Sequence, residues 1–287
     1  MTKPWMADYH VHSNFSEDCD QPMEDQIRQA ISLGLDEICF CEHVDYGIKF
    51  DWDEGQEIRY RIINETIMVP NTNCHYPNYF KELQRMKQLY GNSITIKQGL
   101  EFGIQTSTID DFNKLFHKYE DQLDFILLSI HQIGNKELWT QDFQKNRTQD
   151  EYNRMYYEEL LKLVQTYDDF SVLAHMDLIV RYDNEGVYPF EKVKDLITEI
   201  LKTVIAKGKG IEFNTSSWRY GLSDTHPSGN ILKLYKELGG TIITIGSDAH
   251  KTTQVGEHFT DAIRILKELG FTEYCTFEKR KPVFHKL

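Results

Sequence analysis

Basic residues are scarce in this 287-residue chain: 32 Lys and Arg stand against 45 Asp and Glu, a net charge of −13. So acidic a surface repels phosphate backbones, which counts against nucleic acid as the main partner but leaves room for a small phosphorylated molecule in a local cationic pocket. Long apolar runs are also missing. No stretch has the length of a membrane span, and Met1-Thr2-Lys3-Pro4-Trp5-Met6 lacks the apolar core of a signal peptide, so no membrane partner is expected. Cysteine is sparse and odd in number. Cys19, Cys39, Cys41, Cys74 and Cys275 show no disulfide-rich spacing and read as reduced thiols of a cytoplasmic protein. Cys39 and Cys41 alternate with apolar neighbours and read as small core residues. There is no low-complexity stretch, no linker and no long repeat, so a single domain over 1–287 is expected.

Apolar residues make up 40% of the chain, enough for a sizeable core. Seven short segments rich in Val, Ile, Leu, Phe and Tyr read as strands: 7–12, 36–42, 93–101, 123–130, 170–175, 210–215 and 240–247. Helical spacing fills most of the gaps. Pro22 opens a helix over 23–33 that Gly34 ends. Further helices are expected over 152–167, 190–207 and 229–238. Alternating βα units predict a parallel sheet. An open sheet gathers its useful strand ends at one switch point, whereas a barrel brings all of them to one mouth. Nearly every strand here ends in a functional side chain. The expected fold is therefore an α/β, TIM-like, distorted (β/α)7 barrel with a metal site at its C-terminal mouth. The segment 44–77 follows the second strand at that mouth. It is long and aromatic, with Tyr46, Phe50, Trp52, Tyr60 and Tyr76, and reads equally as a lid or as an insertion packed on the rim.

The strand ends carry the chemistry. Ala7-Asp8-Tyr9-His10-Val11-His12 places two imidazoles on one face of a strand, half of a tetrahedral metal site. Cys41-Glu42-His43, Gly99-Leu100-Glu101, Ser129-Ile130-His131, Ala174-His175-Met176-Asp177 and Gly246-Ser247-Asp248-Ala249-His250 end five further strands in the same manner. Each residue taken singly has a plainer reading. His43, His131 or His175 would be a buried, hydrogen-bonded histidine, Glu101 a rim ion pair, Asp18 a helix N-cap, and Asp248 with His250 a hydrogen-bonded pair. All of these would have to hold at once, and core packing does not generate the repetition. The set points to a metal-dependent hydrolase. His75, His117, His226, His258 and His285 end no strand and read as surface or structural residues.

In their order, His10-Val11-His12-Ser13, Asp18, His43, Glu101, His131, His175 and Gly246-Ser247-Asp248-Ala249-His250 resemble the motif set of the PHP (polymerase and histidinol phosphatase) superfamily. Ala174-His175-Met176-Asp177 running into Arg181-Tyr182 is similar to its histidinol-phosphate phosphatase branch. So are Ile211-Glu212-Phe213-Asn214-Thr215-Ser216 before Arg219, and the tail from Thr276 to Val283. The resemblance implies three divalent transition-metal ions. One would be held by His10, His12, Glu101 and Asp248, a second by Glu101, His131 and His175, and a third by Asp18, His43 and His250, with Glu101 as the bridge. Mixed imidazole and carboxylate ligation suits Zn, Fe or Mn and does not separate them. Many relatives have a histidine where Asp18 stands, which shifts the third set toward a harder ion.

The implied reaction is hydrolysis of L-histidinol phosphate to L-histidinol and phosphate, a step of histidine biosynthesis, by a hydroxide shared between two ions. Arg181, and after it Arg219, are the expected phosphate contacts. The alkoxide leaving group needs a proton, for which Asp248, His250 and a water are candidates. Glu42 and Asp45 are candidates, by position alone, for holding the ammonium and imidazole of the substrate. Two readings stay open beside this one. The chain could be a phosphoesterase on the same scaffold acting on another small phosphate ester or a nucleotide, or a non-catalytic metal-binding module.

Overall fold

A parallel strand covered on both faces has to be buried along most of its length. In the computed structural model, which describes residues 5–51, 60–63 and 67–287, seven strands meet this condition. They are β1 (Ala7–Val11), β2 (Glu37–Val44), β3 (Thr95–Gly103), β4 (Phe125–Ser129), β5 (Val172–Leu173), β6 (Gly210–Asn214) and β7 (Ile243–Gly246). They form one sheet in strict chain order, each parallel to its neighbours. The longest ladder joins β2 and β3, from Glu37 opposite Thr95 to Val44 opposite Phe102. Helices α1 (Met23–Ser32), α2 (Tyr76–Tyr90), α3 (Ile109–Tyr119), α4 (Gln149–Thr166) and α5 (Lys194–Ala206) follow successive strands. After β6 and β7 come the single turn α6 (Ser216–Arg219), α7 (Gly229–Glu237) and α8 (Phe259–Glu268). Met23, Ile27 and Ala30 show how an amphipathic face is laid on the sheet, all three being buried on α1. No helix among the described residues is long and apolar enough to cross a membrane, and the five cysteines are free and buried.

The expected barrel is borne out, and its closure between β1 and β7 differs from the other ladders. His12 N–H donates to Ala249 O at 2.9 Å, and Ala249 N–H to His10 O at 3.2 Å. Asp8 completes the seam from β1. Its carboxylate accepts from Ser247 N–H at 2.9 Å, from the Ser247 hydroxyl at 2.6 Å and from Gly256 N–H at 2.9 Å. Burial outweighs these bonds and pushes the Asp8 carboxyl up to about 6. β1 also carries a bulge against β2. Asp8 opposes Ile38 while Val11 opposes Phe40, so β1 holds one extra residue. Such an insertion re-aims the side chains around it, here those of His10 and His12, whose rings lie 5.0 Å apart.

Three elements depart from the sequence expectation, each for a local reason. The strand expected over 170–175 pairs only at Val172 and Leu173, because the chain turns at His175 with φ +24°. Helix α4 starts at Gln149, earlier than 152, because Thr148 and Glu151 cap it reciprocally. Thr148 N–H donates to Glu151 Oε2 at 2.7 Å, and Glu151 N–H to Thr148 Oγ1 at 3.3 Å. The C-terminal hairpin of β8 (Glu273–Glu278) and β9 (Lys281–Lys286) was not anticipated. Its two-residue turn, Lys279-Arg280, has φ +47° and +63°. Asn-Gly usually supplies that conformation, so a charged turn conceals the hairpin. The hairpin covers the barrel end opposite the mouth. The Tyr9 hydroxyl donates to Phe277 O at 3.0 Å and accepts from Phe277 N–H at 2.7 Å.

The segment 44–77 is tied at its base. Phe50 N–H donates to Asn71 O at 2.9 Å, and Asp51 accepts from the Tyr46 and Tyr76 hydroxyls at 2.8 Å each. Trp52 lies outside the described residues.

Asp8→Ala leaves the buried Ser247 N–H and the half-buried Gly256 N–H without acceptors. It is expected to lower the unfolding free energy by about 2–4 kcal/mol. Urea denaturation of chelator-treated protein measures this without ion binding entering. A loss below about 0.5 kcal/mol, the level of an ordinary surface change, would place the closure of the barrel elsewhere.

Candidate active site and metal centre

Glu101, fully buried on β3, turns its two carboxylate oxygens toward different neighbours. Oε2 lies 3.1 Å from His10 Nε2, 3.5 Å from His12 Nε2 and 3.1 Å from His43 Nδ1. Oε1 lies 3.1 Å from His131 Nε2 and 3.0 Å from His175 Nε2, and accepts from the Ser129 hydroxyl at 2.6 Å. Burial alone would push this carboxyl up. The imidazoles of His10, His131 and His43 outweigh it and hold Glu101 well below the usual carboxylate range. Asp248, just beyond β7, faces the same space, with Oδ1 3.7 Å from His10 Nε2 and 3.5 Å from His12 Nε2. A third group forms at the rim, where Asp18 Oδ2 is 3.4 Å from His43 Nε2 and 3.2 Å from His250 Nε2. All nine residues singled out from sequence as ligands therefore meet in one place.

The imidazoles are oriented from behind. His10 Nδ1–H donates to Glu212 Oε1 at 2.7 Å, His131 Nδ1–H to Asp45 Oδ1 at 2.7 Å and His250 Nδ1–H to Asp248 O at 3.0 Å. His12 Nδ1 meets the Ser16 hydroxyl at 3.3 Å. Each of these leaves Nε2 facing inward, and an acceptor behind the ring fixes the tautomer and strengthens the imidazole as a ligand. Burial would push His131 down, but Asp45 and Glu101 outweigh it and carry it up to about 9. His12 Nε2, His43 Nδ1 and His250 Nε2 are buried yet make no hydrogen bond, although carboxylate oxygens stand 3.1–3.5 Å away. That spacing suits a shared cation, since two ligands about 2.1 Å from a tetrahedral ion sit about 3.4 Å apart. The donor set of imidazole and carboxylate fits divalent transition metals.

Two of the site residues hold left-handed backbone, His175 at φ +24° and Asp248 at φ +54°. Each costs about 1–3 kcal/mol for a residue other than glycine, a cost that the surroundings must offset. Glu212, fully buried on β6, supplies part of that. It accepts from His175 N–H at 2.9 Å and from Asn214 Nδ2 at 3.0 Å besides orienting His10. As a functional residue it was missed, because it sits mid-strand. Its signal was a buried acid flanked by Ile211 and Phe213 in a run that otherwise reads as core. Lys49 and Glu17 were also missed. Lys49 Nζ lies 2.5 Å from Glu17 and 2.6 Å from Asp45, tying the loop of Asp18 to the loop of Asp45, and no sequence pattern marks it.

A cavity of about 350 Å³ opens over this cluster, bordered by Lys49, Trp139, Arg181, Tyr182, Arg219 and Tyr220. Arg181 stands where it was expected. Its guanidinium lies 4.2 Å above the Tyr220 ring and donates to Ser216 Oγ at 2.6 Å and Asp248 Oδ2 at 3.1 Å.

Several other assignments need correction. Arg219 borders the cavity, but it donates to Ser247 O at 3.0 Å, Asp248 O at 2.8 Å and Glu257 at 2.9 Å, so it braces the Asp248 loop. Glu42 points away from the cavity, because its strand neighbour His43 takes the inner face. It accepts from Ser13 N–H at 3.1 Å and from the Ser13 and Ser16 hydroxyls at 2.5 and 2.6 Å, and burial pushes it up to about 7. Asp45 is committed to His131 and Lys49. Asp248 is poorly placed as a proton donor. Asp248 is held well below the usual range against its burial by His10, His12 and Arg181, and His250 has Nδ1–H on a carbonyl while its Nε2 faces Asp18 at 3.2 Å without a hydrogen bond. His226 is structural, fully buried with Nδ1 2.5 Å from Asp177.

The sequence matches the PHP domain profile over residues 8–216. The histidinol-phosphatase of Lactococcus lactis subsp. lactis is 29% identical over 277 residues, 96% of this chain and 95% of the relative. A probable histidinol-phosphatase of Thermotoga maritima is 28% identical, covering 98% of this chain and all of its own length. Among solved structures, the histidinol phosphate phosphatase of Lactococcus lactis, complexed with zinc, L-histidinol and phosphate, superposes with a TM-score of 0.80 at 28% identity. It covers 97% of this chain and 98% of that one. A structure from Listeria monocytogenes, 20% identical with a TM-score of 0.74, shares the fold. The profile match spans β1 to the end of β6, and with it most of the strand-end cluster; the chain belongs to the PHP domain family.

Proposed function

We propose that the chain hydrolyses L-histidinol phosphate to L-histidinol and phosphate with the help of three divalent transition-metal ions. The observation that carries this reading is the ring of imidazole nitrogens and carboxylate oxygens at ligand-pair spacing beneath a cavity bordered by Arg181. Near full-length similarity to a protein crystallised with zinc, L-histidinol and phosphate supports it. His10, His12, Glu101 and Asp248 would hold the first ion, Glu101, His131 and His175 the second, and Asp18, His43 and His250 the third. Zn, Fe and Mn all suit these ligands. When bound, the ions supply Lewis acidity, which brings the pKa of water toward neutrality and neutralises phosphoryl charge.

The chain's own residues position the reactants. Hydrolysis forms a bond from a water oxygen to phosphorus, breaks the ester P–O bond and moves one proton to the departing alkoxide. Glu101 holds two ligand groups at a fixed separation by giving one oxygen to each. Glu212 and Asp45 keep the His10 and His131 rings from rotating. Arg181, held by Tyr220, Ser216 and Asp248, borders the cavity and sets its guanidinium charge beside the place a phosphoryl group would occupy.

Elemental analysis of protein prepared without chelator is expected to find more than one transition-metal ion per chain. One ion or fewer after reconstitution would overturn the trinuclear assignment. Glu101→Gln keeps the side-chain shape and removes a charge shared by two ligand groups. The variant should fold, bind fewer ions and lose activity by about three orders of magnitude or more. Normal turnover in the folded variant would make Glu101 structural.

Arg181→Ala is expected to cost about 2–4 kcal/mol in kcat/KM, and to do so for phosphate esters in general. An effect confined to histidinol phosphate would mean that Arg181 reads the alcohol and not the phosphate. The substrate itself is tested by comparing histidinol phosphate with p-nitrophenyl phosphate, which has the better leaving group. Histidinol phosphate should be preferred. Equal efficiency would favour a broader phosphoesterase.

A further inference from the structure

A second cavity, also of about 350 Å³, lies between α4, α5 and the start of α7. This volume is in the range of small-molecule sites. Its walls carry the rings of Tyr157, Tyr188 and Phe190, and the acids Asp177, Asp183 and Asp224. Among the described residues that line it there is no Lys, Arg or His, so the local field favours a cation. Tyr157 is the telling group. It is only 3% exposed, borders the cavity, and its hydroxyl makes no hydrogen bond among the described residues. The hydroxyl opens onto the cavity, so a hydrogen-bond partner for it comes from whatever fills that space.

Asp177 links this cavity to the metal centre. One carboxylate oxygen accepts from Ser228 N–H at 2.8 Å, and the other lies 2.5 Å from His226 Nδ1. The His226 ring stacks on His175, with centroids 5.8 Å apart and planes inclined by 20°. His175 Nε2 in turn faces Glu101 at 3.0 Å. Asp177 and His226 thus connect the cavity to His175 at the centre.

We infer that the second cavity binds a small aromatic amine as its ammonium form, and that its occupancy reaches the metal centre through Asp177, His226 and His175. The ammonium donates to the Tyr157 hydroxyl and is attracted by Asp177. The aromatic body fills the space between Tyr188 and Phe190. Binding beside Asp177 alters its hold on His226 and so the seat of the His175 ring.

The test is calorimetric titration of the metal-loaded full-length protein, with saturating phosphate occupying the catalytic cavity. The probes are tryptamine, its neutral analogue 3-methylindole and the anion indole-3-propionate. One tryptamine per chain is expected, with 3-methylindole at least about tenfold weaker for want of the charged contact and no uptake of the anion. Tyr157→Phe should weaken tryptamine about fivefold. Asn230→Trp, at the exposed rim, should block it, and neither variant should change turnover without tryptamine. In the parent protein tryptamine should change kcat/KM by about fivefold or more, and Asn230→Trp should not respond. Absence of binding, binding lost when phosphate is present, equal binding of the three indoles, or binding without a change in turnover would each overturn the inference. The titration reads heat of binding and not activity, so its failure is distinct from failure of the phosphatase reading.

Discussion

A carboxylate taken out of water needs donated hydrogens or positive charge at contact distance. This barrel buries Glu42, Asp45, Glu101, Glu212 and Asp248 near one another, and much of its architecture follows from how each is satisfied. Glu42 takes two serine hydroxyls and an N–H. Asp45 takes His131 and the ammonium of Lys49. Glu212 takes His10, Asn214 and the backbone of His175. Glu101 and Asp248 remain, facing imidazoles whose inner nitrogens have few other partners. The first three acids are closed by the protein itself. The last two rest chiefly on the surrounding imidazoles, with the Ser129 hydroxyl beside Glu101 and Arg181 beside Asp248. The same residue type thus braces the scaffold in one place and lines the imidazole cluster in another, and the difference lies in who supplies the neighbouring hydrogens.

That division explains what was legible in the sequence. His10, His12, His43, Glu101, His131, His175, Asp248 and His250 stood out because each interrupts or ends an apolar run at a strand terminus, where core packing has no use for it. The barrel was legible for the same reason, since ligands from nearly every strand demand a shared mouth. Glu212 escaped because a mid-strand acid in a buried run has no spacing partner. Glu17 and Lys49 escaped because their meeting depends on the path of two loops, which no periodicity encodes. Glu42 was misread because adjacency in sequence to His43 does not mean adjacency in space. On a strand the next residue faces the other way.

The turning points of the chain repeat the lesson at the level of backbone. Lys279-Arg280 makes a hairpin turn without Asn or Gly, and His175 and Asp248 sit at positive φ without being glycine. In the hairpin, ladder pairing and the Tyr9 contact hold the turn in place. At the mouth, Glu212 anchors His175, and Arg219 holds the carbonyl of Asp248. Local preference yields where tertiary contacts over-determine the conformation, and these are the places where reading from sequence alone goes astray.

The seam between β1 and β7 has a consequence for the order in which this protein is made. Asp8 and Ser247 are 239 residues apart in the chain, and the ligand set straddles the same interval. At synthesis rates of about 5–20 residues per second, roughly 10–50 s pass between the appearance of the first imidazoles and that of Asp248. During that interval His10, His12 and His43 have emerged and the carboxylate that completes their enclosure has not. Until Ser247 emerges, the Asp8 carboxylate has no partner on β7, so the barrel closes only when nearly the whole chain has been made.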